Sequence, residues 1–393
     1  MSHRLAFVAL AVLWSSPQIA FSEPTEPSDY GAVLFRHGDG DYRSVSSLAY
    51  TADGTQIISA ADDGAIEVHE AATGDLLRRL VGHRFANGEP ADACDAAPLP
   101  GGRIVSVGED GRVILWPAEG TKPERVIDPV VFETVELDEQ SGLGRLAWEA
   151  GIARGEWDRD EATGLYALAV SPDRNRFAVG YRAIDGTHRF RVRDCRTGDA
   201  VADLVGGQYS QDALFTPDGT GLLLSDDAGL IALYDLSTGE KIRVFDAPEA
   251  YSKAAYPRGG GLVPSNAKPI VFGIAFSANG EYVMAVDAKA CRVWDFVTGD
   301  LVTTVDAGGW DSDVVALADG RAAFGTNNGV VIFEIVSGKV LAHRPPSGVV
   351  QPLAVSPDGK MFIAAASQQG GRIYTVPLNP AGDGGAGAGD LPD

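Results

Sequence analysis

Short, strand-sized apolar runs recur along most of the chain, and polar, turn-forming residues separate them. The pattern is clearest in VFGIAFSANGEYVMAVDAKACRVWDFVTGD, positions 271–300. Three apolar runs, Gly273–Phe276, Tyr282–Val286 and Cys291–Phe296, are divided by Asn279-Gly280 and by the stretch 287–290, and Thr298-Gly299 closes the unit. Each run is strand-sized, rich in β-branched and aromatic residues, and bounded by residues that tolerate positive φ. A lone meander of this size buries too little apolar surface to stand by itself, so the pattern predicts neighbours of the same kind.

The chain supplies them. The first turn recurs at Asp53-Gly54, Pro100-Gly101, Asp173-Arg174, Asp218-Gly219, Asn279-Gly280, Asp319-Gly320 and Asp358-Gly359. The closing turn recurs at Thr73-Gly74, Thr197-Gly198, Thr238-Gly239, Thr298-Gly299 and Ser337-Gly338. A base period of roughly 40 residues with four strands (a to d) per unit is the spacing of propeller blades. The expected fold is therefore all-β, a seven-bladed β-propeller over residues 31–378. An eighth blade near Val130–Leu137 is the alternative, although no turn signature accompanies that stretch. One strand, Ala32–Phe35, precedes the first full unit, and the last unit stops at Pro377 one strand short. The N-terminal strand is expected to complete the last blade, which removes an exposed sheet edge.

Individual residues resemble the WD-repeat family: Trp294-Asp295, Tyr234-Asp235, Trp116, Gly82-His83, Ser171-Pro172-Asp173 and Ser356-Pro357-Asp358-Gly359. The resemblance spans nearly the whole chain from about Gly31 to Pro377. It implies a buried polar network in each blade, drawn from a His before strand a, a Ser or Thr on strand b, an Asp in the b–c turn and a Trp on strand c. His83, Ser106, Asp110 and Trp116 fit this throughout; His37, Ser59 and Asp63 repeat the spacing, with His69 in the Trp place. Arg193 and Tyr234 hold that place in the next two units, so the network roles are not carried over there. The resemblance also implies a non-enzymatic scaffold that binds protein partners.

Insertions point to a face. In a blade of this type the d–a and b–c connections emerge together, opposite the a–b and c–d turns. The short connections are the a–b and c–d turns, whereas the excess lies in 128–164, 246–270 and, less so, 84–93 and 182–187. Long connections in a compact domain are usually functional or disordered. Within them Trp148, Trp157, Tyr251, Tyr256 and Arg258 are of the residue types that anchor interfaces, and Leu143–Arg154 suits a short amphipathic helix. Packing of the aromatics onto the blade tops is the competing reading.

Composition narrows the partners. The net charge of −22 argues against nucleic acid and anionic membranes. Residues 1–22 read as a secretory signal peptide, with His3 and Arg4 before an apolar core and cleavage expected after Ser22; an uncleaved anchor is the alternative. Residues 23–30 read as a linker and 379–393 as a disordered Gly/Ala/Asp tail. These features predict an exported chain, periplasmic or secreted, with no membrane span after cleavage and a monomeric propeller. Cys94, Cys195 and Cys291 fall in separate units and are expected to be buried thiols with no disulfide.

No phosphate loop, dinucleotide fingerprint, nucleophile elbow or zinc-protease motif occurs, and no cofactor is expected. Arg189, Arg191 and Arg193 share one face of a strand and are expected to pair with acidic groups of a neighbouring blade, with anion binding as the alternative. The alternative function, from another class, is a metal- or cofactor-assisted enzyme resembling quinoprotein or lactonase propellers. It would use carboxylates at the channel mouth, with Asp92, Asp95, Asp212 and Asp313 as candidates. Solvated carboxylates without a ligand are the plainer expectation for these four.

Overall fold

The computed structural model describes residues 33–38, 44–85, 87–127, 165–182, 188–206, 212–225, 231–246, 257–258, 261–262, 271–287, 290–306, 313–326, 329–344, 350–359, 361–366 and 371–377. Among them are seven four-stranded antiparallel sheets arranged as the blades of a propeller. Strands a to d of blade 1 are Val45–Tyr50, Gln56–Ala61, Ala65–Glu70 and Leu76–Val81. Those of blade 2 are Ala93–Pro98, Ile104–Gly108, Val113–Trp116 and Arg125–Ile127. Blade 3 has Leu165–Val170, Arg176–Arg182, His188–Asp194 and Ala200–Val205. Blade 4 has Ala213–Phe215, Gly221–Ser225, Ile231–Asp235 and Lys241–Phe245. In blade 5 they are Val271–Phe276, Tyr282–Asp287, Ala290–Asp295 and Leu301–Asp306. In blade 6 they are Val314–Ala316, Arg321–Thr326, Gly329–Glu334 and Val340–Arg344. Blade 7 takes Val350–Val355, Met361–Ala366 and Arg372–Pro377 from the end of the chain. Its d strand is Val33–Arg36, which pairs antiparallel with Arg372–Pro377. The ring is therefore closed by the N-terminal strand.

The core is divided among the seams. Each of seven apolar clusters joins two consecutive blades: Ile66 and Leu80 meet Trp116 between blades 1 and 2, Phe245 meets Trp294 between 4 and 5, and Phe35 meets Ile57 between 7 and 1. This division lets a chain of 393 residues fold as one body beyond the usual size of a single core.

Short turns at one face follow a repeated chemistry. In the a–b turn of blade 1, Thr51 Oγ1 donates to Asp53 Oδ1 at 2.6 Å and the Thr55 amide donates to the same oxygen at 3.0 Å. Ser171 and Asp173, Thr216 and Asp218, Ser277 and Asn279, and Ser356 and Asp358 repeat the side-chain pair. The c–d turns use the residue after the Trp place: Asp295 accepts the amides of Val297 and Thr298, and Asp235 those of Ser237 and Thr238. At Gly74, φ is +78° and a Cβ would strike the Leu34 carbonyl oxygen, so the blade 1 turn can seat against the closing strand only as glycine.

Two expectations need correction. Arg191 and Arg193 of blade 3, expected to pair with a neighbouring blade, find partners within their own blade. Arg191 makes a two-pronged pair with Asp203 of its own d strand, at 2.6 and 3.1 Å. Arg193, in the Trp place, donates to the Gly198 carbonyl of its own c–d turn at 2.8 Å. The c and d strands lie side by side in register, so the nearest acceptors are within the blade. Of the three free thiols, Cys195 and Cys291 are buried but Cys94 is only half-buried, because it is the extra residue where strand a of blade 2 bulges. The stretch Val130–Leu137 and the segment Leu143–Arg154 lie outside the described residues.

Candidate functional site

Antiparallel order fixes which end of the ring each connection leaves from. Strand d runs toward the face where strand a begins, so the connections after Arg125–Ile127 and Lys241–Phe245 both depart from that face. The b–c turns lie there as well. Trp148, Trp157, Tyr251 and Tyr256 fall outside the described residues; Arg258 belongs to the two-residue strand Pro257–Arg258, which pairs with Gly261–Leu262. The third connection on this face, after blade 1, is compact. Arg84 bridges Pro90, Phe85 donates to the Glu89 carbonyl at 3.0 Å, and Arg84 Nη1 caps the Gly88 carbonyl at 2.9 Å.

Beneath this face lie the polar networks. In blade 2, His83 Nδ1 is 2.9 Å from Asp110 Oδ1 and its Nε2 is 2.8 Å from Ser106 Oγ. Trp116 Nε1 donates to the same hydroxyl at 2.8 Å, and the Arg84 amide donates to Asp110 Oδ2 at 3.0 Å. All four side chains are buried, so each bond satisfies a group that water cannot reach. In blade 1, His37 Nδ1 lies 2.8 Å from Ser59 Oγ and its Nε2 lies 3.4 Å from Asp63 Oδ1. His69 turns Nε2 to Glu67 Oε2 at 3.1 Å and Nδ1 to the Gly74 carbonyl at 2.9 Å. Arg79 bonds both Glu67 and Asp63, and the Gly38 amide reaches Glu67. Burial opposes the charges on Asp63 and Glu67, yet hydrogen bonds and the nearby cationic groups outweigh it and hold both below the usual carboxylate range. His69 was expected in the Trp place, but Glu67 and Arg79 were not singled out as network members by the sequence pattern. Their signal was the charged residues at alternate places on two adjacent strands.

At the channel the picture differs from simple solvation. Asp95, Asp212 and Asp313 occupy one column at the start of strand a, Asp212 and Asp313 six residues before the turn residues Asp218 and Asp319 and Asp95 five before Pro100. Ser47, Ala167, Gly273 and Pro352 fill that column in the intervening blades. Each aspartate accepts two backbone amides from two blades. Asp212 takes Ala213 at 2.7 Å and Ile274 of blade 5 at 2.8 Å; Asp313 takes Val314 at 2.8 Å and Leu353 of blade 7 at 3.0 Å. Asp95 takes Ala96 at 2.7 Å, Leu168 of blade 3 and the Ser47 hydroxyl. Burial raises all three, Asp95 and Asp313 to about 6 and Asp212 to about 7. Mutual repulsion adds to this: Asp313 acts on the other two, and Asp95 on Asp212. Their carboxylates are therefore inter-blade staples as well as half-buried charges. Asp92 is not part of this ring; burial and then the charges of Asp62 and Asp63 raise it instead. Among the described residues no three His, Cys, Asp or Glu side chains are grouped to hold a metal ion, and no helix is long and apolar enough to cross a membrane.

A family model described as WD domain, G-beta repeat matches residues 32–70. The matched stretch holds the d strand of blade 7 and strands a to c of blade 1, so the sequence repeat is displaced from the blade by one strand.

Proposed function

We propose that this chain is an exported, non-enzymatic propeller that captures a protein partner on the face where its d–a and b–c connections emerge. One observation carries the reading: the two longest connections depart from the same end of the ring, while the a–b turns at the opposite end are short and repeat a Ser/Thr–Asp/Asn pair in five blades. A ring that only had to be stable gains nothing from that asymmetry, because longer loops add closure entropy, though slowly. The WD-repeat match and the propeller fold are of a kind that commonly serves protein binding. Rigid blades supply a fixed frame, and the aromatic and arginine residues of the connections supply the anchors. We assign Trp148, Trp157, Tyr251, Tyr256 and Arg258 to that role.

The test is capture of partners from the periplasmic or extracellular fraction by wild-type protein and by Trp148→Ala and Tyr256→Ala. Loss of a buried aromatic anchor is expected to weaken binding about thirtyfold, while the melting temperature moves by less than about 4 °C. Full capture by both variants would remove these anchors from the proposal. Export is tested separately by fractionation and by finding Glu23 as the first residue of the mature chain.

A further inference from the structure

The three channel aspartates do something that neither docking nor fold closure requires. Each bonds one amide of its own blade and one of the next, so the seams 2–3, 4–5 and 6–7 are stapled at the axis by an ionisable group. The corresponding contact between blades 1 and 2 is made by a hydroxyl: the Ala96 amide donates to Ser47 Oγ at 3.0 Å. Uncharged residues stand between the aspartates in the column, and at Gly273 even a Cβ would press to 3.0 Å from Asp313 Oδ1. The charged groups that act on the three, among the described residues, are the carboxylates themselves; the titratable neighbour is the Cys94 thiol, itself pushed up by burial and by nearby carboxylates that include Asp95.

We infer that Asp95, Asp212 and Asp313 form a proton-sensitive clasp, which tightens the ring of inner strands as it takes up protons and loosens it as they leave. Fully ionised, the three place like charges close enough to act on one another. A proton taken up relieves that repulsion and the cost of burying charge, which together outweigh the amide bonds that favour the ionised form, while the unprotonated oxygen still accepts its amide. The direction follows from linkage. The folded ring holds protons more tightly than an unfolded aspartate, so its contribution is full below about pH 4 and is lost as pH rises through about 6 to 7. Asp63 and Glu67 are shifted the opposite way, and their loss begins only below about pH 4.

The experiment is thermal unfolding of the full chain between about pH 8 and about pH 5, for wild type, each of Asp95→Asn, Asp212→Asn and Asp313→Asn, and the triple variant. Wild type is expected to gain about 5 °C or more on acidification, and the triple variant less than half of that. Histidines as a class respond in the same range, so the difference between the curves carries the result. A triple variant that keeps the full wild-type gain overturns the inference. Should the triple variant fail to fold, infrared spectra of the wild type and the single variants decide. A protonated-carboxyl band at about pH 6 that fades by about pH 8.5 and weakens in each single variant supports the clasp. Absence of that band in the wild type overturns it.

Discussion

Blades 1 and 2 begin from the same three residue types and finish differently. Both place a His, a Ser and an Asp at matching positions under the connection face. Blade 2 completes the set with Trp116, whose single donor and large ring satisfy Ser106 and fill the space with no further help. Blade 1 has His69 there, a smaller ring with two polar atoms. One atom needs Glu67, which in turn draws in Arg79 and the Gly38 amide. The other needs the turn carbonyl of Gly74, and the closing strand covers the ring with Phe35, stacked at 3.7 Å between centroids. With His69 in the Trp place, the blade 1 network draws in Glu67 and Arg79 and leans on a strand that belongs to the neighbouring blade, whereas blade 2 completes its set around the His83–Asp110 pair. The lesson is that the blade nearest the ring's joint carries the polar groups that hold the joint.

The comparison can be broken first in blade 2. Trp116→Ala opens a cavity and strands the Ser106 hydroxyl and His83, and is expected to cost about 3–5 kcal/mol, read as a lower urea midpoint with unchanged slope. A smaller effect is expected in blade 1. Glu67→Gln removes the partner of Arg79 and His69, at about 2 kcal/mol once the partial exposure of Arg79 is allowed for. Glu67 is held below its ordinary range in the fold, so its stabilisation is present at neutral pH and disappears as pH drops through about 4 and below. The Gln variant should therefore lose less stability than wild type between about pH 6 and about pH 3; equal acid limbs would mean that Glu67 does not carry the charge assigned to it. The smallest effect sharpens the contrast. Arg191→Ala deletes the exposed two-pronged pair with Asp203 in blade 3 and should cost less than about 1 kcal/mol, measurable by the same urea series. A loss as large as that of Glu67→Gln would show that burial does not separate the two pairs.

Much of this architecture could be read from the chain because its signals are local and repeated. Asn279-Gly280 and Thr298-Gly299 mark turns whatever lies around them, and the strands they bound, Val271–Phe276, Tyr282–Asp287 and Ala290–Asp295, differ from the apolar runs by a residue or two. The orphan strand before the first unit gave the closure by the same logic of counting. The blade 1 network was only half legible: His37, Ser59 and Asp63 share the spacing of blade 2, but nothing in the spacing distinguishes Glu67 from any other alternating strand residue. What makes it matter is the pairing of Glu67 with Arg79 across strands c and d. Asp95, Asp212 and Asp313 were legible as channel residues and not as staples, since each reaches an amide some 40 to 73 positions further along. Long-range backbone contacts of that kind leave no trace in local pattern.

The displacement of the sequence repeat by one strand also fixes how the ring is held from outside. Strands c and d of blade 7 are the last and first of the fold, and they run antiparallel with Val33 beside Tyr374. Both ends of the propeller therefore open at the short-turn face, side by side, on the side away from the long connections. Whatever is attached at either end suspends the ring by that face and leaves the opposite one pointing outward. The same geometry sets the mechanical response: tension that draws the two ends apart peels Val33–Arg36 from Arg372–Pro377 one pairing at a time instead of shearing them together. The joint is the point where a tether would yield first, and Phe35, His37 and Gly38 are the residues through which blade 1 resists it.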